Sequence, residues 1–521
     1  MNPEKSRVKA GIRMQMRKEG CWFMKCRRIL SAAAAVAILC AVSACKPENS
    51  PVVKEPTEYL NGDVAKTEAV LKAEPNVKHQ VVKNFGVSGA WWSTGIGDRA
   101  AMDEILELLF TDKGIALNTY RHNIGGGREG GPLADDKSGP DSWRAVPCPL
   151  TADGSIDIDA DANAWTVLQK INALGTVDTV VLFMNSPPES MTVNGKTYGE
   201  AKGSNLRPDC YEAYAVFCVD VAEAVLNAGI PVKYISPVNE PQSQWDAGWQ
   251  EGCHYTTDEI LKLTKLIIAE LNRRGLPVKV SVNESAQYGN REYVHDFYKT
   301  LLSDDEIYPY IDHIAAHAYF ATDKIRAALY NWTNKVAGDL GKQALPVYQT
   351  EFAAWAPDNE ALTVEGRITM TGRALYEDLT LLNVDSWDYF AAVARGPDSL
   401  IMVNDSDAGK YWPMKHMWAI GNYSKFIKGY TRVEVEETGM PEGVMGSAYL
   451  APDGKKLVFV AVNESKADQT VTLAGVPEGS FSEVYETSME RDCGTAKGFM
   501  KADNGYVLPA QSVTTFVFQM G

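Results

Sequence analysis

The sequence predicts an α/β chain built as a (β/α)8 TIM barrel with a C-terminal side β-sandwich, and three observations lead there. At 521 residues, 45% apolar and 23% charged, the chain is globular in composition but longer than one hydrophobic core usually covers. From Phe85 to Ile427 strand-like and helix-like runs alternate eight times, the pattern of a parallel barrel wrapped in helices. After about residue 428 the helical period gives way to short alternating strands. An open doubly wound sheet is the competing arrangement, but no glycine-rich fingerprint follows the first strand.

Taken in order, residues 1–44 read as an export signal. Lys25, Arg27 and Arg28 precede an apolar run from Ile29 to Val42, too short for a membrane span, and Ser43-Ala44-Cys45 follows. Val42-Ser43-Ala44-Cys45 resembles the lipobox of bacterial lipoproteins. That resemblance implies acylation of Cys45 and a chain exported to a bacterial outer membrane or cell surface, the periplasmic side included. An ordinary signal peptide is the alternative, and Met24 rivals Met1 as the start. Residues 45–64 are polar and proline-rich and read as a tether. Residues 65–84 hold two β-like stretches, Ala69–Leu71 and Gln80–Phe85, which have no sheet of their own and are assigned to the sandwich.

The barrel is assigned to residues 85–427. Its strands are expected near Phe85–Ala90, Ala116–Ile124, Val177–Asn185, Val232–Asn239, Val278–Asn283, Ile311–Tyr319, Pro346–Phe352 and Ser386–Val393. Helices fall between them, near 98–113, 159–174, 208–228, 256–274, 290–304, 324–338, 363–383 and 412–427. The fourth is the best marked: Thr256 and Glu259 form a capping box, Ile260, Leu263, Ile267 and Leu271 share a face, and Gly275 follows. Residues 428–521 carry strand patterns and turn signals at Pro452-Asp453-Gly454 and Pro477-Glu478-Gly479, and read as the sandwich.

In such a barrel chemistry gathers where the strands end. The fourth strand stops at Asn239-Glu240-Pro241, because Pro241 cannot donate to a ladder, and the seventh runs into Glu351. Two strand-end glutamates match the needs of glycoside hydrolysis, which uses one carboxyl as acid and one as nucleophile or base. The other strand ends bring Trp91 and Trp92, Arg121, His122 and Asn123, Asn185, His317 and Tyr319, and Trp387. Aromatic faces pack on the C–H faces of pyranose rings, while amides and imidazoles hold hydroxyls.

Several motifs together resemble glycoside hydrolase family thirty, a retaining (β/α)8 family. They are Gly86-Val87-Ser88-Gly89-Ala90-Trp91-Trp92, Arg121-His122-Asn123-Ile124-Gly125-Gly126-Gly127, Asn185-Ser186-Pro187-Pro188, Asn239-Glu240-Pro241, Thr350-Glu351-Phe352 and Ser424-Lys425-Phe426-Ile427. The likeness runs from about residue 65 to the end. It implies Glu240 as acid/base and Glu351 as nucleophile, with their carboxyls about 5–5.5 Å apart. Arg121 would keep Glu351 ionised or form a structural ion pair. Asn239 would bond the sugar 2-hydroxyl or fix its own loop, His317 and Tyr319 would flank Glu351, with a satisfied core residue the equal alternative for His317, and Trp387 would floor the cleaved sugar's subsite or belong to the core. Trp92, with Trp91, Trp245 and Trp249, offers a platform or simple packing, and Asn185 joins the candidate substrate contacts. Within the family the pattern is most like the endo-β-1,6-galactanase branch. β-1,6-Glucanase, β-glucosidase, xylanase and β-fucosidase activities are the alternatives, since loops decide among them. A non-catalytic surface glycan-binding lipoprotein is the rival class, though such a protein would be expected to have lost one glutamate.

Composition narrows the partners to an oligo- or polysaccharide. Removing residues 1–44 takes away nine basic and two acidic residues, moving the net charge from −16 to −23. A chain this acidic lacks the cations that release counterions from nucleic acid, and contact with a membrane is expected only through the lipid. No cofactor and no metal are called for. Asn404-Asp405-Ser406-Asp407-Ala408-Gly409 lacks the distal Glu of a calcium loop. Asp157, Asp159 and Asp161 mark a helix start, and Gly125-Gly126-Gly127 lacks the Lys-Ser/Thr of a phosphate loop and permits a tight turn instead. Beyond Cys45, five cysteines remain (Cys148, Cys210, Cys218, Cys253, Cys493). They lack zinc spacing and leave any disulfide pairing open, as the sequence leaves the oligomeric state.

Overall fold

The structure, a computed structural model, describes residues 68–129, 131–132, 142–199, 203–355, 362–404, 406–477, 480–495 and 505–521. Residues 1–67, which include the expected export signal, Cys45 and the expected tether, lie outside the described residues.

Eight parallel strands form the barrel, in order Asn84–Ser88, Thr119–Ile124, Thr179–Met184, Val232–Ser236, the fifth strand, Ile314–His317, Val347–Glu351 and Ser386–Tyr389. The fifth strand differs from expectation. It is broken into Lys279–Val280 and Asn283–Ser285, the first piece pairing with the fourth strand and the second with the sixth. Ser281 N–H donates to Ile235 O (2.8 Å), so the two pieces together close the ring. The sheet is buried on both faces, as parallel strands under helices must be. Its outward side chains meet an apolar shell led by Phe85, Leu182, Ile235 and Val347.

The helices follow their sequence signals. Thr256 caps Thr257–Arg274 through both bonds of the capping box, and Gly275 closes it at φ 68°, a conformation that glycine adopts freely. Asp161 caps Ala162–Leu174 by accepting from Ala164 N–H, which accounts for the acidic cluster there. The run expected near 290–304 starts as a π turn, Arg291–Asp296, before Phe297–Ser303.

Among the described residues nine strands make the side domain. Its first, Val70–Val81, lies between Thr431–Thr438 and Gln469–Ala474. The first β-like stretch and the start of the second, Gln80-Val81, thus fall in one strand, with a register shift between Glu74 and Lys78 where Pro75 has no N–H to offer the ladder, while Asn84-Phe85 begin the barrel. Alternation does the joining of the domains. On Lys456–Asn463, Leu457, Phe459 and Ala461 fill the sandwich core, while Val458, Val460 and Val462 face the barrel's helices. Gly372, on helix Val364–Glu377, allows this contact: a Cβ there would stand 2.6 Å from Val513. Cys148, Cys210, Cys218, Cys253 and Cys493 are all free thiols.

Candidate active site

The second, fourth, fifth, sixth and seventh strands deliver charged side chains to one mouth. One oxygen each from Glu240 and Glu351 and a ring nitrogen of His317 all lie within 4.8 Å of one another. The fourth strand ends at Ser236, and the chain then turns so that Glu240 takes φ 45°, a strained value for a residue with a Cβ. Its N–H donates to Glu284 O (2.8 Å) and its carboxylate faces His317 Nδ1 at 3.0 Å. Glu351 is the last residue of the seventh strand; it accepts from Tyr319 Oη (2.8 Å) and from Arg121 Nη1 (3.3 Å).

Arg121 sits inside the barrel because residues alternate along the second strand, and His122 next to it points outward into an apolar shell. Burial holds His122 down to about 4, so it is neutral. Arg121 has no exposure; it donates to Thr350 O (3.1 Å) and Asn239 Oδ1 (3.4 Å) and stands 3.5 Å from Glu284. Burial works against its charge, and Glu284, Glu351 and Asp388 outweigh that, raising its pKa.

Glu284 is the residue that sequence reasoning missed. Fully buried at the end of the fifth strand, it accepts from Ser236 Oγ (3.0 Å) and Thr350 Oγ1 and faces His317 Nε2 at 3.3 Å. A signal existed, since Val282-Asn283-Glu284 repeats Val238-Asn239-Glu240. The same triplet recurs at Val462-Asn463-Glu464 in the sandwich, so position in the barrel rather than the triplet marks the site.

Two of the candidate contacts are buried. Trp92 is 0% exposed, with its Nε1–H donated to Ser88 O, and Trp387 is 1% exposed, donating to Asp378. Each indole gives its only polar hydrogen to a buried acceptor, and Trp92 still lines the cavity beside Trp91. Asn185 is buried and donates to Asn123 Oδ1 (2.9 Å). The aromatic surface lies elsewhere. Trp91 lines a cavity of about 320 Å³ with Trp143, Arg144 and Phe390. Phe320 (60% exposed) and Trp355 (52% exposed) stand edge to face at 6.3 Å beside a second cavity of about 410 Å³, which Tyr319 also lines.

Among the described residues Glu240, His317 and Glu351 are the set with metal-ligand spacing. Both nitrogens of His317 already face carboxylates, and the guanidinium of Arg121 lies 3.3 Å from Glu351, which disfavours a dication there. The arrangement suits proton transfer and nucleophilic attack on a neutral ligand.

Comparison with known proteins agrees with this chemistry. Residues 68–400 match the profile of O-glycosyl hydrolase family 30, and residues 429–516 that of the glycosyl hydrolase family 30 beta sandwich domain. An endo-β-1,6-galactanase of Hypocrea rufa is 25% identical over 436 residues, covering 78% of this chain and 84% of that one. A glucuronoxylanase of Bacillus subtilis is 24% identical over 383 residues, 70% of this chain and 79% of that one. A solved structure described as a conserved exported protein from Bacteroides fragilis superposes with TM-score 0.76 at 24% identity, covering 86% of this chain and all of that one.

Proposed function

The chain belongs to O-glycosyl hydrolase family 30, and from that premise we propose that it cleaves a β-linked polysaccharide by double displacement. The observation that carries this reading is the approach of Glu240 and Glu351 oxygens to within 4.8 Å. That is close to the roughly 5–5.5 Å of retaining enzymes and well short of the ~6.5–9.5 Å that admits an attacking water on the far face.

Glu351, with Arg121 and Tyr319 on its two oxygens, attacks the anomeric carbon as a carboxylate. As the glycosidic C–O bond breaks, Glu240 passes its proton to the leaving oxygen. Water then attacks the glycosyl ester, gives its proton to Glu240 and frees Glu351. Asn239, oriented by Arg121, bonds the 2-hydroxyl. The exposed pair Phe320 and Trp355 beside one cavity, and Trp91 beside the other, support a cleft that holds several sugars of a polymer.

β-1,6-Galactan is the favoured substrate, on the likeness to the galactanase over 84% of its length. The test is hydrolysis of β-1,6-galactan, β-1,6-glucan and glucuronoxylan by wild type and Glu351→Gln. Release of galacto-oligosaccharides with the β-anomer formed first, lost in the variant, is expected. Release of only glucose or xylose oligomers discards the substrate, and first formation of the α-anomer discards the mechanism. The export reading adds a lipid on Cys45; labelled palmitate should be incorporated by wild type and not by Cys45→Ser.

A further inference from the structure

Glu284 cannot meet a sugar, since it has no solvent exposure, yet it stands at the centre of the charged cluster. Its carboxylate accepts from Ser236 Oγ (3.0 Å) and Thr350 Oγ1 and lies at ion-pair distance from Arg121 (3.5 Å) and His317 Nε2 (3.3 Å), and its main-chain oxygen takes the N–H of Glu240 (2.8 Å). Both Glu284 and Glu240 hold left-handed backbone, at φ 58° and 45°. Two strained carboxylate residues are thus bonded to each other through the main chain and joined a second time through one imidazole.

A carboxylate with this many donors remains ionised. Burial alone would push it up, but Arg121, His317 and Thr350 hold it down to about 2. An anion 3.3 Å from Nε2 favours a hydrogen on Nε2 over a bare lone pair. The second nitrogen, Nδ1, then faces Glu240 Oε1 at 3.0 Å, and one further proton is needed between them.

We infer that Glu284 is a positioning residue for the acid/base step: it fixes the Nε2–H form of His317, so that Nδ1 and Glu240 share the single proton that the reaction consumes and returns. This rests on Glu240 being the acid/base. On glycosidic C–O cleavage the shared proton goes to the leaving oxygen, leaving the Glu240 carboxylate against a bare Nδ1. When water attacks the ester, its proton passes to Glu240 Oε1 and the pair is restored. Nε2–H takes no part, because its acceptor is anionic and sealed from water.

The other groups facing this pair are Arg121 from the second strand, Glu351 from the seventh and Asp388 from the eighth, with the Tyr319 ring edge-on to His317 at 6.0 Å. Burial opposes an imidazolium here, and Glu351, Glu240 and Glu284 together outweigh it, raising His317 to about 10. Removing one anion must therefore release the shared proton at lower pH.

The test is the imidazole NMR titration of His317 in ligand-free wild type and Glu284→Gln from roughly pH 5 to 11, with His317→Asn to assign the signal. The midpoint is expected to fall by about 1–3 units in Glu284→Gln, and the alkaline limb of kcat/KM to move acidward with it. Thr350→Val strips one donor from Glu284 while keeping its charge; the less compensated anion should move both readouts less and the opposite way, to higher pH, and the variant serves if Glu284→Gln does not fold. An unchanged His317 midpoint in whichever variant folds overturns the inference, as does a shifted midpoint with an unmoved kinetic limb. If wild type hydrolyses no β-glycoside, the glycosidase reading fails while the His317 titration still decides the role of Glu284.

Discussion

Replacing Arg121 by Leu removes a guanidinium that two buried carboxylates share. The guanidinium is fully buried, 3.3 Å from Glu351 and 3.5 Å from Glu284. Breaking a buried pair by deleting one partner costs about 3–5 kcal/mol, chiefly because the remaining charge is stranded. The loss should depend on pH with a definite sign. Glu284 in the folded protein is held down to about 2, below its ordinary 4.5. Its contribution to stability is therefore fully present above about pH 4.5 and is lost as pH falls through about 2. In Arg121→Leu burial still pushes the carboxyl up and its strongest attractor is gone, so folding favours the protonated form. The stability gap between wild type and variant should then widen as pH rises from about 4 to about 7. Urea unfolding at the two pH values measures it directly. Arg121→Lys keeps the charge without the fork and should lose less than Leu at neutral pH. A gap that is equal at both pH values, or wider in acid, would refute the electrostatic account and leave Arg121 as a packing residue over Phe183, whose ring it covers at 4.3 Å.

Three further outcomes are expected. Tyr319→Phe deletes the hydroxyl that donates to Glu351 at 2.8 Å; a hydrogen bond to a charged group is worth about 1.5–3 kcal/mol, so kcat should fall roughly 10- to 100-fold with the melting temperature little changed. Phe320→Ala with Trp355→Ala, both on the exposed shelf, should cost about 1–3 kcal/mol per lost stacking face in kcat/KM on polymer and leave a short aryl glycoside unaffected; equal losses on both would remove the shelf from the cleft. Trp92→Ala, deep in the core, should cost about 3–5 kcal/mol of stability by denaturant unfolding, with KM unchanged in the protein that remains folded.

Local patterns carried much of this protein into view. The alternation of periods from 2 to 3.6, the capping box at Thr256, and proline after Glu240 act over a few residues. Their physics is complete within the chain segment, so they can be read from it. The glutamates at two strand ends belong to this class, because a strand's end is marked by its own neighbours.

Other features depend on what arrives from far along the chain. Trp92 and Trp387 looked like sugar platforms by position, yet each is buried, because Ser88 O and Asp378 happen to offer acceptors inside the fold. Phe320 and Trp355, undistinguished in the sequence, are both exposed. Glu284 became part of the site only when the broken fifth strand set it between Arg121 and His317, residues 163 positions earlier and 33 later. Periodicity and capping therefore determined the elements and the two strand-end carboxylates. Which buried charge meets which, and which aromatic faces solvent, was decided only by tertiary packing, since desolvation and Coulomb energy depend on distances between strands that the chain's order does not contain.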